Sequence, residues 1–207
     1  MCELCRKTPC DTRCPNYVSP STEYYCSICN EGIYTGEEYI KNDNGDYVHY
    51  ECISGIRDPF FTKVLGKTQL KRDLQKDIIR EVIMLTETNA ENDFTSFKSK
   101  DIDSFLIWYQ DYINEDKIDL VKQSLDKLDE SFEELKINVL SIPMIIFAGY
   151  RTLKDKKSFA SLVDKINDFV ANYDTNEEYK QYCQGGTTAQ VNVRGRLDYW
   201  RNILRTM

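Results

Sequence analysis

Histidine occurs once in this chain, at His49, and no cysteine falls between Cys52 and Cys183. A Ser-His or Cys-His catalytic pair therefore has one imidazole to draw on, and any other use of His49 removes it. Phosphate-cradling glycine loops are missing as well: neither Gly-x4-Gly-Lys-Ser/Thr nor Gly-x-Gly-x2-Gly occurs. No apolar run approaches the roughly eighteen residues that span a bilayer. The opening MCELCRKTPC lacks the apolar segment of a secretory signal, so a cytoplasmic protein without a membrane segment is expected. Basic residues are the minority, 27 Lys and Arg against 34 Asp and Glu. The resulting charge of −7 argues against broad attraction to nucleic acid or anionic lipid. Core material is not lacking: 41% of the 207 residues are hydrophobic, enough for one medium domain or two small ones.

The cysteines that are present crowd into one end. Seven of the eight, namely Cys2, Cys5, Cys10, Cys14, Cys26, Cys29 and Cys52, lie in the first 52 residues, and His49 sits in the last pair of that cluster. Cys26-x2-Cys29, nineteen residues, then His49-x2-Cys52 is a zinc-ligand spacing. Without a secretion signal, metal is favoured over disulfides. Cys2-x2-Cys5-x4-Cys10-x3-Cys14 is nearly all ligand and too short to bury a core. A second zinc is the expected reason for it to be ordered, with a partly unligated tail as the alternative. Eight ligands suit two tetrahedral ions. The short loop between Cys5 and Cys10, and a histidine placed in the last pair, favour sequential wiring over the interleaved kind. Between the last two ligand pairs, Glu37 to Lys41 alternates like a strand and Asn44-Gly45 suits a type I′ turn. Tyr47 to His49 is the return strand, and Cys52 opens the next helix.

Knuckle, hairpin and helix over Cys26–Cys52 resemble a LIM-type treble-clef half. The preceding MCELCRKTPCDTRCPNY resembles the N-terminal cysteine modules of small uncharacterised proteins of Gram-positive bacteria and their phages. The resemblance implies a structural zinc module used for binding. The fold class expected is a small zinc-stabilised β-hairpin/treble-clef module over residues 1–55, followed by an all-α helical bundle over 56–207.

Helical periodicity begins where the cysteines stop. Asp58-Pro59-Phe60-Phe61 reads as a linker or a docking aromatic pair. Leu70, Leu74, Ile78, Val82 and Leu85 make one stripe on a helix over 67–86, and Thr86 to Ser99 reads as a polar loop. Ile102, Phe105, Leu106, Tyr109, Tyr112 and Ile113 share the next face. Ile118, Val121, Leu125, Leu128, Phe132 and Leu135 form a heptad-like seam, either a dimer coiled coil or, as the reading preferred here, the inward face of a bundle. Pro143 suits a first helical turn, and Met144-Ile145-Ile146-Phe147, apolar nearly all round, predicts a buried central helix. Phe159 to Tyr173 gives a further face, Thr175 to Glu178 matches a capping box, and Gly185-Gly186 is a stop. Val193, Leu197, Trp200 and Leu204 line the last of about six helices.

Both zinc sets read as filled and structural. Three thiolates and one imidazole leave a net −1, and four thiolates −2, which blunts Lewis acidity. Two zinc ions, no further cofactor and no catalytic residue are expected. The function this predicts is non-enzymatic: a zinc-binding protein–protein interaction protein with Tyr34, Tyr39 and Tyr47 as hairpin contacts, a homodimer remaining open. Two alternatives compete. One is nucleic-acid binding through Arg194, Arg196, Arg201 and Arg205, with Lys63, Lys67, Lys71 and Arg72 beside them. The other is a phage anti-defence inhibitor, an acidic protein occupying a basic host site.

Overall fold

A computed structural model describes residues 21–26, 31–35, 37, 39–41, 47–49, 59–70 and 72–207, without the side chains of Ile40, Val48 and His49. The chain divides into two compact units, Met1–Arg57 and Asp58–Met207.

The described residues of the first unit form two antiparallel strand pairs. β1 (Thr22–Tyr25) pairs with β2 (Gly32–Tyr34). β3 (Tyr39–Lys41) pairs with β4 (Tyr47–His49) in the register Tyr39↔His49, Ile40↔Val48 and Lys41↔Tyr47. The second pair matches the expected hairpin; its turn lies outside the described residues. Cys26, just past β1, forms a parallel bridge with Tyr47 that joins the two pairs. At Gly32 only hydrogen fits, because a Cβ would meet Thr22 Cγ2 at 2.8 Å across the β1–β2 pair.

The second unit is helical. Its described residues hold α1 (Pro59–Val64), α2 (Lys67–Leu70), α3 (Leu74–Glu87), α4 (Ser99–Tyr109) and α5 (Glu115–Ser131). α6 (Ile142–Lys154), α7 (Phe159–Ala171), α8 (Glu177–Lys180) and α9 (Gln190–Arg205) follow. The middle of the unit is α6, where every residue from Ile142 to Tyr150 is buried and Pro143 occupies the first turn. α3, α5, α7 and α9 all pack on it. The α5 seam faces inward: Val121, Leu125 and Leu128 are buried in the unit's core. α5 and α6 approach so closely that Ser124 Oγ donates to the Ile146 carbonyl at 3.1 Å and a Cβ on Gly149 would overlap that hydroxyl. Local caps start the helices. Asn114 accepts from the Lys117 amide at 3.1 Å and Ser158 from that of Ser161 at 3.3 Å.

Four expectations are corrected here. The single helix over 67–86 is two, α2 and α3, because Asp73 takes a left-handed conformation at φ 55° and breaks the run. Pro59-Phe60-Phe61 is no linker: Phe60 and Phe61 are fully buried in α1, which Leu135 N anchors by donating to the Lys63 carbonyl at 3.1 Å. Tyr112 and Ile113 lie beyond the end of α4 and are exposed. The polar loop after α3 is not all solvated, since Thr95 and Phe97 are buried and Phe97 N donates to the Thr188 carbonyl at 2.9 Å.

Candidate functional site

Of the eight expected metal ligands, Cys26 and His49 fall on described backbone. Cys2, Cys5, Cys10, Cys14, Cys29 and Cys52 lie outside the described residues. The Cys26 side chain is 1% exposed, and its amide donates to the Glu31 carbonyl at 2.9 Å, closing the loop between β1 and β2. The bridge to Tyr47 sets Cys26 beside β4, two positions from His49. Among the described residues no three His, Cys, Asp or Glu side chains gather into a metal-sized group.

Around this point the tyrosines divide into two kinds. Tyr24 stacks on Tyr47 with centroids 3.6 Å apart, and Tyr39 leans on both at 5.3 and 5.6 Å. Tyr47 is therefore half-buried packing, where exposure was expected. Tyr34 and Tyr39 are exposed, and Tyr25, which the spacing argument passed over, is the most open of them at 72%. In β1 only Tyr24 is part-buried, and the register slips between Thr22 and Tyr24, so the exposure of Tyr25 could not be read from TEYY.

The four C-terminal arginines take different environments, and Lys71 lies outside the described residues. Arg196 is 1% exposed; its guanidinium donates to the carbonyls of Tyr182 at 2.6 Å and Thr187 at 2.9 Å, which ties the 181–189 loop to α9. Arg194 pairs with Asp93, and Lys63 with Asp129 at 2.6 Å. Arg201 and Arg205 instead line a cleft of about 340 Å³ with Arg151 and Lys157. Two carboxylates share it, Asp155 on Arg151 at 3.0 Å and Asp198 on Arg201 at 3.2 Å, and Lys157 Nζ donates to the Leu204 carbonyl. The cleft lies where α6 and α9 end, so these cations answer the exposed carbonyls of two helix C-termini.

Cys183 is half-buried, and burial pushes its thiol up, away from the thiolate a nucleophile needs. Glu81 is the most displaced acid: burial raises it to about 8 despite the opposing charge of Arg196. A second cleft, of about 540 Å³, opens between the 92–98 loop, α4 and the start of α9, walled by Phe94, Phe105 and Trp108. No helix among the described residues is long and apolar enough to cross a membrane. Comparison of the chain with protein families, with curated proteins and with solved structures returns no match to any of them.

Proposed function

We propose that this chain is a zinc-stapled protein–protein interaction protein in which the metal holds shape and performs no chemistry. The observation that carries the reading is Cys26, buried at the end of β1 and bridged to β4 two positions from His49. Two strand positions span roughly 7 Å, within reach of a thiolate and an imidazole on one ion. The flanking Cys29 and Cys52 complete that set by spacing, and Cys2, Cys5, Cys10 and Cys14 supply a second. Four protein ligands leave no place for an activated water, and the helical unit contains no histidine to serve a nucleophile. Tyr25, Tyr34 and Tyr39 offer the partner exposed rings on a fixed backbone. The net charge of −7, the burial of Arg196 and the pairing of Arg194 with Asp93 favour a protein partner over nucleic acid.

Native mass spectrometry of untreated protein, with metal analysis, tests the first part: two zinc ions per chain are expected. A metal-free protein whose first unit is nonetheless folded would end the reading. Affinity capture before and after chelation tests the second: a partner retained equally well after zinc loss would remove the finger from the account.

A further inference from the structure

On the helical unit, Phe94, Trp108 and Tyr112 make a continuous aromatic ladder. Trp108 lies 4.8 Å from Phe94 on one side and stacks 4.8 Å from Tyr112, at 17°, on the other. The ladder starts in the 540 Å³ cleft and ends at a ring that is 59% exposed. Ile107 (70%) and Ile113 (58%), each next in sequence to a ring of the ladder, are exposed as well, apolar surface that the core does not use. Charge says what covers this face. Residues 101–116 hold Asp101, Asp103, Asp111, Glu115 and Asp116 and no lysine or arginine. Asp103 stands one helical turn before Ile107 and Asp111 four residues after it, with Lys100 the one cation of α4, so carboxylates outnumber cations around the apolar patch. Within the cleft itself charges nearly balance, with Asp93 held by Arg194 and Lys98 offsetting Asp101. Acidity therefore belongs to the rim and apolarity to the centre, the arrangement of an interface with an anchoring pocket and a charged border.

We infer that this face of α4 docks a basic amphipathic segment of another protein, with an apolar or aromatic side chain in the Phe94–Trp108 cleft and lysines or arginines on the carboxylate rim. A cation also sits well on the outer face of Tyr112, the open end of the ladder. A second copy of this chain is a poor occupant, because it would set the same excess of carboxylates against itself. The surface belongs to the second unit and does not rest on the metal reading.

The test uses the full chain and a pair of synthetic helical peptides, Leu/Lys and Leu/Glu, identical in apolar pattern. Tryptophan emission reports on the site, since the only other tryptophan, Trp200, is fully buried. The Leu/Lys peptide should bind saturably and about tenfold or more tighter than Leu/Glu, weakening with salt. Asp103→Lys with Asp111→Lys should invert that preference, and Ile107→Ser with Tyr112→Ser should weaken Leu/Lys binding about tenfold, with helicity unchanged. All of this should persist after chelation, so loss of the finger's function would leave it intact. Equal affinity for both peptides, or indifference to either pair of substitutions, overturns the proposal. Concentration-dependent self-association abolished by Ile107→Glu would overturn it in favour of a second copy.

Discussion

The helical unit buries thirty apolar side chains in one cluster, from Phe60 to Leu204, whereas the described part of the N-terminal unit buries two, Cys26 and Ile33. At about 1.5–3 kcal/mol for each large side chain removed from water, the first core supplies many times the apolar burial of the second. The two units must therefore owe their order to different things. One is held by interdigitated side chains around α6. The other has strands of three and four residues, a stack of tyrosines and a buried cysteine. Such a unit needs cross-links, and the ligand spacing supplies candidates for them.

Metal removal should break this symmetry most, because it acts on one side only. On the proposed metal reading, each closed zinc set would contribute on the order of 10 kcal/mol to the module it closes. After treatment with a strong chelator, the amides of Tyr24, Ile33 and Tyr47 should lose protection from hydrogen exchange, while those of Ile146 and Leu197 keep theirs. Equal protection before and after would erase the contrast.

The next largest effect lies in the helical unit. Gly149→Ala would press a methyl group onto Ser124 Oγ, which donates to the Ile146 carbonyl and has no free space to rotate into without losing that bond. A loss of about 1–3 kcal/mol is expected from overpacking. Adding Ser124→Ala should restore most of it, since the hydroxyl is what the new methyl meets. Thermal unfolding of the three variants followed at 222 nm measures the coupling, and metal content should not change in any of them.

Acidity should separate the units by sign. The Glu81 carboxyl is pushed up to about 8 from an ordinary 4.5, first by burial, with Arg196 opposing and Asp77 adding to the rise. Below pH 4.5 both folded and unfolded chains are protonated there and the group contributes nothing. As pH rises from 4.5 to 8 the unfolded chain ionises while the folded one does not, so stability falls across that window. The residue keeps some access to solvent, so the loss is about 1–2 kcal/mol, below the full linkage value. Glu81→Gln should abolish this slope in urea titrations at pH 5 and pH 8. Zinc ligands respond the opposite way, because acid protonates thiolates and imidazole and releases the ion. A first unit that loosens in alkali and tightens in acid would contradict the metal account.

The same contrast explains what could be read from the residues alone. α6 was legible because Met144 to Phe147 is apolar on every side, and α9 because Val193, Leu197, Trp200 and Leu204 keep helical spacing. Periodicity could not show the break at Asp73, which depends on one left-handed residue, nor that Phe60 and Phe61 belong to the core. β1 and β2 passed unseen because three or four residues are too few to establish alternation. Arg196 was misplaced for a different reason: its burial is set by two loop carbonyls that only the folded 181–189 segment brings near. In the candidate site, spacing named Cys26 and His49, and the bridge at Tyr47 places their backbones on neighbouring strands. The division of the tyrosines into stacked and open ones was not in the spacing at all.

That division provides the finest test. Tyr47→Ser removes the ring stacked 3.6 Å from Tyr24 and should cost the first unit about 1–2 kcal/mol. Tyr25→Ser removes a ring that is 72% exposed and should stay within about 0.5 kcal/mol. Exchange protection at Ile33, measured on zinc-replete protein, resolves the two. If metal supplies most of the unit's stability, Tyr47→Ser lowers protection modestly and leaves zinc content unchanged. If the aromatic stack is the true core, the same substitution unfolds the unit with its metal available, and the distinction between a packed half and a stapled half gives way to two packed halves of unequal size.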